Sequence, residues 1–415
     1  MIARRGAVAL AVFVLMIIGG TGSLAQETDR LQPEALTYLG AFLPPDDAPE
    51  DVGWWYAGHA LAFNPAGDPT GPDDGFPGSL FGTGHDWYQY VSEVSIPVPL
   101  ITPALDALPV ATTLQPFADV RGEMFGELEQ PVAALEVLPG VEGAEGRLVF
   151  AWGQHFQEMR YGPSHGWSRL DLADPQSAGP WSVGDFPDYL TNNYLFTIPA
   201  EWAAHTPGMT LATGRFREGG QGGSGPSLIA FAPPDVDDPA PAGAVLPALA
   251  LLRYGDYTTP GEQQLDDYRH CDDWTGGAWL TAGERAAVIF VGTKALGECW
   301  YGFANGIVWP EEGPWPDVPE WPYDNRGYWA SEYEEQMLFY DPADLAAVAA
   351  GTLEPWQPQP YARLDISDVF FGVREDWTRG RAGSAAYDRE RGLLYVTEPT
   401  ADDSGRTVIH VWRVG

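Results

Sequence analysis

Short apolar segments recur along the chain in one repeated order. Each copy has an apolar strand rich in small residues, a tight turn, a second apolar strand, a polar or aromatic loop and a third strand. In the last and clearest copy these strands are residues 383–387, 393–397 and 407–414. Earlier copies begin near residues 60, 132, 194 and 278. Because repeats of this kind bury their apolar faces against their neighbours, the pattern predicts a β-propeller with one repeat per blade.

A fourth extended segment follows each of the first four copies, whereas the fifth copy ends at the C-terminus. A strand of the right kind, residues 35–42, lies near the other end of the chain. We expect it to complete the last blade, because closing the ring removes exposed sheet edges. The prediction is an all-β, single-domain propeller (26–415) of five four-stranded blades, with six blades as the alternative. The expected blades are about residues 58–120, 131–186, 193–257, 277–366 and 382–414 plus 35–42.

Residues 294–333 interrupt this pattern as a long insertion between the second and third strands of blade four. The insertion contains five tryptophans: Trp300, Trp309, Trp315, Trp321 and Trp329. Long loops inside compact domains are usually functional or disordered, and this composition is too aromatic for disorder. We therefore expect the insertion to have a functional role.

The N-terminus has the features of a cleaved signal peptide. Arg4 and Arg5 precede an apolar run at 7–18, and small residues follow at 23–25. This pattern predicts a signal peptide over residues 1–25 and a secreted or periplasmic mature protein. An uncleaved N-terminal anchor is the alternative. No later segment is apolar enough to span a bilayer, so no membrane association is expected after cleavage.

Charge and cysteine content narrow the partners. The chain has 58 acidic and 22 basic residues, giving a net charge of −36, which disfavours nucleic acid and anionic membranes. The acidity is compatible with a divalent cation, although the sequence identifies no cofactor. We expect a monomer. Two cysteines in an exported protein are typically paired, so Cys271 and Cys299 predict a disulfide between the entry loop of blade four and the base of the insertion.

Most of the chemically reactive side chains map to one face of the predicted propeller. There the loops from second to third strands emerge together with the loops between blades, and we name this side the long-loop face. The candidate ligand-binding residues on it are His85, Asp86, Trp87, His155, Arg160, Arg215, Trp274, Lys294, Trp377, Arg381 and Glu398.

Asp-Trp pairs recur on this face at Asp86-Trp87, Asp273-Trp274 and Asp376-Trp377. One interpretation is structural: the aspartates cap turns and the indoles pack between blades. The other is functional, because the apolar faces of sugars stack on indoles while carboxylates accept hydrogen bonds from sugar hydroxyls. The three pairs therefore indicate either repeated packing or a saccharide-binding rim.

Acidic residues also enter the inner strands of different blades. Glu129, Asp273 and Asp376 could converge near the axis and act as general acid and base, as paired carboxylates do in glycoside hydrolysis. His85, His155 and His165, with His59 expected nearby, are weaker candidates for a metal site with Asp86, since no dense ligand spacing such as His-x-x-x-His is present. Histidines in such positions more commonly bond to loops. The sequence contains no nucleophile elbow, phosphate-binding loop or dinucleotide fingerprint.

Part of the sequence resembles a known group of proteins. The motifs that carry the resemblance are residues 38–42 (YLGAF), 60–65 (ALAFNP), 84–87 (GHDW) and 94–97 (VSIP). With these motifs the segment from Leu36 to Pro97 resembles secreted bacterial propellers of unassigned activity. At the level of fold the chain is similar to five-bladed glycosidases of the arabinanase and fructosidase kind, which implies acidic residues near the axis. Glu129, Asp273 and Asp376 are the nearest analogues.

Three functions remain open at this stage. The leading hypothesis is a secreted propeller of unassigned activity that binds a saccharide-type ligand on the long-loop face. The second is a glycoside hydrolase or lyase that uses two of the three carboxylates. The third is a protein-interaction platform, which predicts an exposed apolar patch on the insertion instead of a concave pocket.

Overall fold

A computed structural model of the chain shows a five-bladed β-propeller. It describes residues 30–68, 71, 76–125, 131–140, 145–154, 162–215, 223–236, 238–256, 258–372, 375 and 378–415. Five antiparallel sheets form the ring, and each has four blade strands. The predicted fold class and the count of five blades are therefore confirmed.

The strands follow the repeated order along the chain. Strand β1 (Leu36–Phe42) precedes the first blade, which contains β2 (Leu61–Asn64), β3 (Ser79–Thr83), β4 (Val91–Ser95) and β5 (Thr113–Ala118). The second blade contains β6 (Pro131–Leu138), β7 (Arg147–Gln154), β8 (His165–Arg169) and β9 (Ala178–Val183). The third contains β10 (Tyr194–Thr197), β11 (Leu211–Gly214), β12 (Ser227–Phe231) and β14 (Ala248–Arg253). Before β14, the short β13 (Val245–Leu246) pairs in parallel with β9 on the second blade.

The fourth blade has the longest strands, and the fifth blade closes the ring. The fourth contains β15 (Asp273–Ala282), β16 (Arg285–Gly302), β17 (Gly327–Tyr340) and β18 (Ala362–Asp365). The fifth contains β19 (Ala385–Asp388), β20 (Leu393–Glu398) and β21 (Val408–Val414), and β1 is its fourth strand. Strand β1 pairs antiparallel with β21, from Leu36 opposite Val414 to Phe42 opposite Ile409. The predicted closure of the ring by the N-terminal strand is confirmed.

Each pair of neighbouring blades encloses its own apolar core. Trp152 belongs to the core between blades one and two, and Trp181 to the core between blades two and three. Trp279 packs between blades three and four, and Trp412 between blades four and five. Phe63 of blade one stacks on Tyr395 of blade five with ring centroids 6.1 Å apart. The hydrophobic interior therefore follows the ring without a gap, including the point of closure.

Small residues let the inner strands approach the axis closely. Near the face opposite the long loops a cavity of only about 10 Å³ remains between inner strands. Here Glu136 of β6 accepts a hydrogen bond from Thr197 N of β10 at 3.0 Å, and Arg389 donates to Thr197 O at 2.9 Å. Burial raises the pKa of Glu136 to about 7 against the opposing charge of Arg389. These contacts link β6 and β10 to Arg389, in the turn after the inner strand of the fifth blade.

Helical structure is minor in this fold. The one α-helix of the described residues, α1 (Pro342–Ala349), follows β17 and is capped by Asp341, whose side chain accepts a hydrogen bond from Ala343 N. Among the helices in the part of the chain that the structure describes, none is long and apolar enough to cross a membrane.

Candidate functional site

A histidine and an aspartate from different loops meet at the mouth of the axis on the long-loop face. His59 precedes β2 and Asp86 follows β3, and His59 Nε2 lies 2.9 Å from Asp86 Oδ1. The side chains are 38% and 50% exposed, so a ligand could reach both. Desolvation opposes charge on His59, but the Asp86 carboxylate, aided by the charge of Asp273, raises the pKa of His59. Desolvation likewise opposes charge on Asp86, yet His59 and weaker contributions from His85 and Gln89 lower its pKa.

An exposed indole stands beside this pair. Trp87 is 72% exposed, its backbone N donates to His85 Nδ1 at 3.1 Å, and the two rings lie 4.8 Å apart. The rings of Tyr56 and His85 pack edge to face, with their centroids 5.8 Å apart. His85 itself is buried and so supports Trp87 from below. The mouth therefore presents an aromatic platform, two tyrosines (Tyr56 and Tyr88) and a charged His–Asp pair to solvent.

Several predicted ligand-binding residues are instead engaged inside the protein. Lys294 Nζ bonds both carboxylate oxygens of the fully buried Asp272, at 2.9 and 3.0 Å. Arg381 Nε bonds Glu335 Oε2 at 3.1 Å, and Glu335 is also fully buried. These buried ion pairs hold loops against blade four. Removing either partner would leave an unpaired charge in the interior, which is strongly destabilising.

Glu398 is likewise a structural group. Its carboxylate accepts hydrogen bonds from Phe371 N at 3.0 Å and Gly372 N at 2.7 Å, and lies 3.0 Å from His410 Nε2. Glu398 and His410 are fully buried. The carboxylate thus fixes the loop before the fifth blade to the strands of that blade.

Arg215 and Trp274 also lie below the surface. Arg215 Nη1 donates to Asn192 Oδ1 at 3.3 Å, and its guanidinium lies over the Tyr189 ring, 5.1 Å from the centroid. Trp274 is fully buried in the core between blades three and four. The buried Trp274 agrees with the structural interpretation of the Asp-Trp pairs. The exposed Trp87 agrees with the functional interpretation.

The predicted carboxylate trio is described only in part. Asp273 begins β15, is half-buried and acts electrostatically on His59. Glu129 and Asp376 lie outside the described residues, as do His155, Arg160 and Trp377. Convergence of the three carboxylates therefore stays a prediction.

The described part of the chain contains no ligand set for the predicted metal site. Within those residues no group of three or more His, Cys, Asp or Glu side chains could hold a metal ion. His165 is buried, with Nδ1 3.0 Å from Ser164 Oγ and Nε2 3.4 Å from Thr213 Oγ1. Burial lowers the pKa of His165 to about 3, so it is neutral at physiological pH.

The predicted disulfide is present at the base of the insertion. Cys271 and Cys299 are bonded, with Cα atoms 6.3 Å apart. Next to the blade, the insertion (residues 294–333) is a two-stranded β-ribbon. Here β16 and β17 continue to pair beyond the blade, from Ala295 opposite Tyr333 to Gly302 opposite Gly327. We call residues 294–333 the arm. The disulfide ties this ribbon to the loop that enters β15.

The end of the arm carries an exposed apolar patch. Trp315 and Val318 are each 62% exposed and Trp321 is 80% exposed. Trp315 stacks on Trp309 with centroids 6.3 Å apart, and the Arg326 guanidinium lies 4.3 Å from the Trp309 centroid. The exposed patch that the interaction-platform hypothesis predicts is therefore found on the insertion.

A groove lies beside the arm. Its volume is about 420 Å³, and it is lined by Asp267, Tyr268, Arg269, Lys294, Leu296, Gln336 and Arg363. Arg363 Nη1 lies 3.7 Å from Asp267 Oδ2, and Lys294 is already paired with Asp272. The third basic residue of the lining, Arg269, donates to the carbonyl oxygen of Gly297, so the groove carries more basic than acidic side chains.

Comparison with known proteins does not assign a family. No protein-family model matches the chain, and no curated protein matches it significantly.

Proposed function

We propose that this protein is a secreted binding protein that holds a saccharide-type ligand at the mouth of the axis. The observation that carries the proposal is the exposed Trp87 indole, supported by His85 and next to the His59–Asp86 pair. A sugar ring can stack its apolar face on the indole while its hydroxyls bond to the carboxylate and imidazole. Covering the apolar face of the sugar is favourable by about 25 cal/mol for each Å² of apolar surface removed from water.

Secretion is supported by the bonded cysteines and by the predicted signal peptide. The Cys271–Cys299 disulfide is typical of oxidising compartments outside the cytoplasm. The net charge of −36 keeps a secreted chain soluble and disfavours nucleic acid as a partner.

The hydrolase alternative is favoured by one contact. The charge of Asp273 contributes to the raised pKa of His59, so this carboxylate acts electrostatically on the imidazole. General acid–base catalysis uses such paired groups. If the protein turns over its ligand, Asp273→Asn should abolish turnover while binding is retained; unchanged turnover would exclude this role.

A thermal-shift screen of the mature protein against neutral and acidic oligosaccharides tests the binding proposal. A ligand that binds only the folded state raises the melting temperature. Trp87→Ala should reduce the shift and weaken binding about tenfold, whereas Trp87→Phe, which keeps an aromatic face, should retain most of it. Divalent metals with EDTA as control would reveal a cation requirement. If no oligosaccharide shifts the melting temperature, or if Trp87→Ala binds as tightly as the parent, the proposed site is wrong.

A further inference from the structure

The outer part of the arm repeats with a period of three residues. From residue 315 the sequence reads WPDVPEWPY, and we call residues 315–323 the tip segment. The first position of each triplet is apolar (Trp315, Val318, Trp321), the second is proline (Pro316, Pro319, Pro322), and the third is polar (Asp317, Glu320, Tyr323). Three residues per turn is the repeat of a polyproline II helix.

The prolines restrict this segment to an extended conformation. Each proline fixes its own φ near −65°, and it also disfavours the helical region for the residue before it. The residues before the prolines are the three apolar ones. Residues 315–320 belong to neither a helix nor a strand, and the hydrogen bond from Tyr323 N to Glu320 O closes a turn after them. Trp315 and Val318 therefore lie on a backbone that the prolines restrict, which reduces the entropy lost on binding, and Trp321 lies in the turn that follows.

The row faces solvent along its whole length. Trp315, Val318 and Trp321 are exposed by 62%, 62% and 80%. In an extended segment with three residues per turn, residues three apart are separated by about 9 Å, which is the spacing expected between Trp315 and Val318. Trp321 lies in the turn that follows, between Glu320 and Tyr323. Trp309 and Arg326 support the inner end of the row, and the ribbon below is joined to the disulfide. Two exposed indoles, Trp315 on the extended segment and Trp321 in the turn after it, are therefore available to one ligand.

The size of the row argues against a stable protein complex. A large aromatic side chain offers about 150–250 Å², so these three partly exposed residues present only a few hundred Å². A specific protein interface buries roughly 800 Å² on each partner. A polymer that stacks on both indoles and continues beyond them needs no such area, because its contacts add along one chain.

The charge around the apolar row of the tip segment determines which class of polymer it can bind. Residues 303–326 contain five acidic side chains and one basic one: Glu311, Glu312, Asp317, Glu320, Asp324 and Arg326. An anionic chain would be repelled, both here and by the net charge of −36. The acidic side chains can instead accept hydrogen bonds from the hydroxyls of a neutral chain.

We propose that the tip segment is a second saccharide-binding surface, which takes one extended chain of a neutral polysaccharide by stacking on Trp315 and Trp321. This inference rests on the proposed saccharide function, but it assigns a separate surface and a longer ligand. Short sugars would bind at the mouth of the axis, whereas the arm would hold the polymer from which they come.

Affinity electrophoresis tests the proposal with the full mature protein. Native gels are cast with galactomannan, xyloglucan or mixed-linkage β-glucan as neutral probes and with pectate as the anionic one. We expect retardation by at least one neutral polymer and none by pectate. Since stacking is not ionic, about 0.5 M NaCl should leave the retardation intact. The double variant Trp315→Ala/Trp321→Ala should weaken binding by more than about tenfold, and Trp315→Phe/Trp321→Phe should restore most of it.

The outcomes separate the two proposals. An unchanged melting temperature shows that the arm variants are folded. If oligosaccharides shift the melting temperature but no neutral polymer is retained, or if the double variant is retained as strongly as the parent, the arm proposal is wrong and the axial site stands. If polymer retention depends on the arm but Trp87→Ala changes nothing, the arm proposal holds and the axial site is wrong. If sedimentation shows a dimer that the double variant abolishes, the row is a protein interface and the polysaccharide proposal is overturned.

Discussion

His59 Nε2 lies 2.9 Å from Asp86 Oδ1, and the two residues come from loops on either side of the first two strands of blade one. Both side chains remain accessible at the mouth of the axis. Asp273, which begins the inner strand of blade four, adds a second negative charge that acts on His59. The imidazole is thus bonded to one carboxylate and influenced electrostatically by a second from another blade.

Removing the nearer carboxylate should lower the pKa of His59. We expect Asp86→Asn to lower it strongly, since the aspartate supplies both a charge and a hydrogen bond, and Asp273→Asn to lower it less, since it supplies only charge. The measurement is an NMR titration of the imidazole C–H signals, with His59→Gln used for assignment. Glu284→Gln, on the opposite face, is the control and should leave the titration unchanged. A His59 pKa that does not fall in Asp86→Asn would contradict the pairing.

The only lysine of the chain is expected to be structural. Burial opposes charge on both partners, which lowers the pKa of Lys294 and raises that of Asp272 despite their mutual attraction. Lys294→Met leaves Asp272 charged and buried without its partner, which should lower the free energy of unfolding by about 3–5 kcal/mol. Urea denaturation measures the change. The double variant Lys294→Met/Asp272→Asn should recover part of the loss, and a double variant less stable than the single one would refute the assignment.

The architecture could be predicted because it depends on a local, repeated pattern. Apolar strands and turns recur five times, and the closing strand 35–42 is the one segment of the right kind without a blade. The disulfide followed from compartment and position. In each case the information lies in short segments or in their order along the chain.

The roles of individual loop residues could not be predicted in the same way. Lys294, Arg381 and Glu398 look like surface groups in sequence, yet the fold buries each against a partner such as Asp272, Glu335 or His410. Sequence order does not show which charged loops become interior. One signal was present for Lys294, since only Thr293 separates it from the apolar run at 287–292. The three-residue period of the tip segment is also present in the sequence, although the high aromatic content of the insertion is its more obvious feature.

Glu136 should make the protein less stable as the pH rises. Its pKa is about 7 in the folded protein but near 4.5 when unperturbed, so between these values the folded state binds more protons than the unfolded state. The free energy of unfolding therefore falls as pH rises through this window. Glu136→Gln keeps an oxygen for Thr197 N and removes the titration. Its stability relative to the parent should increase between about pH 4.5 and 7 and then level off, as followed by denaturation across that range. A constant difference would contradict the raised pKa.

Gly40 should be essential to the closing strand. It sits at a bulge between β1 and β21 with φ of +119°, and a Cβ placed there would lie 2.4 Å from the backbone carbon of Leu100. That contact is fixed, because Ala41 N and Leu100 O are hydrogen-bonded at 3.1 Å and Leu100 N and Ala41 O at 3.0 Å. Gly40→Ala therefore combines an unfavourable φ with a clash against backbone, and should lower the free energy of unfolding by at least about 2–3 kcal/mol. Gly283→Ala is the matched control: its φ is +61° and nothing lies within 4 Å of the added Cβ, so it should cost only about 1 kcal/mol. Equal losses in the two variants, measured by urea denaturation, would show that the contact between β1 and Leu100 does not hold the ring closed.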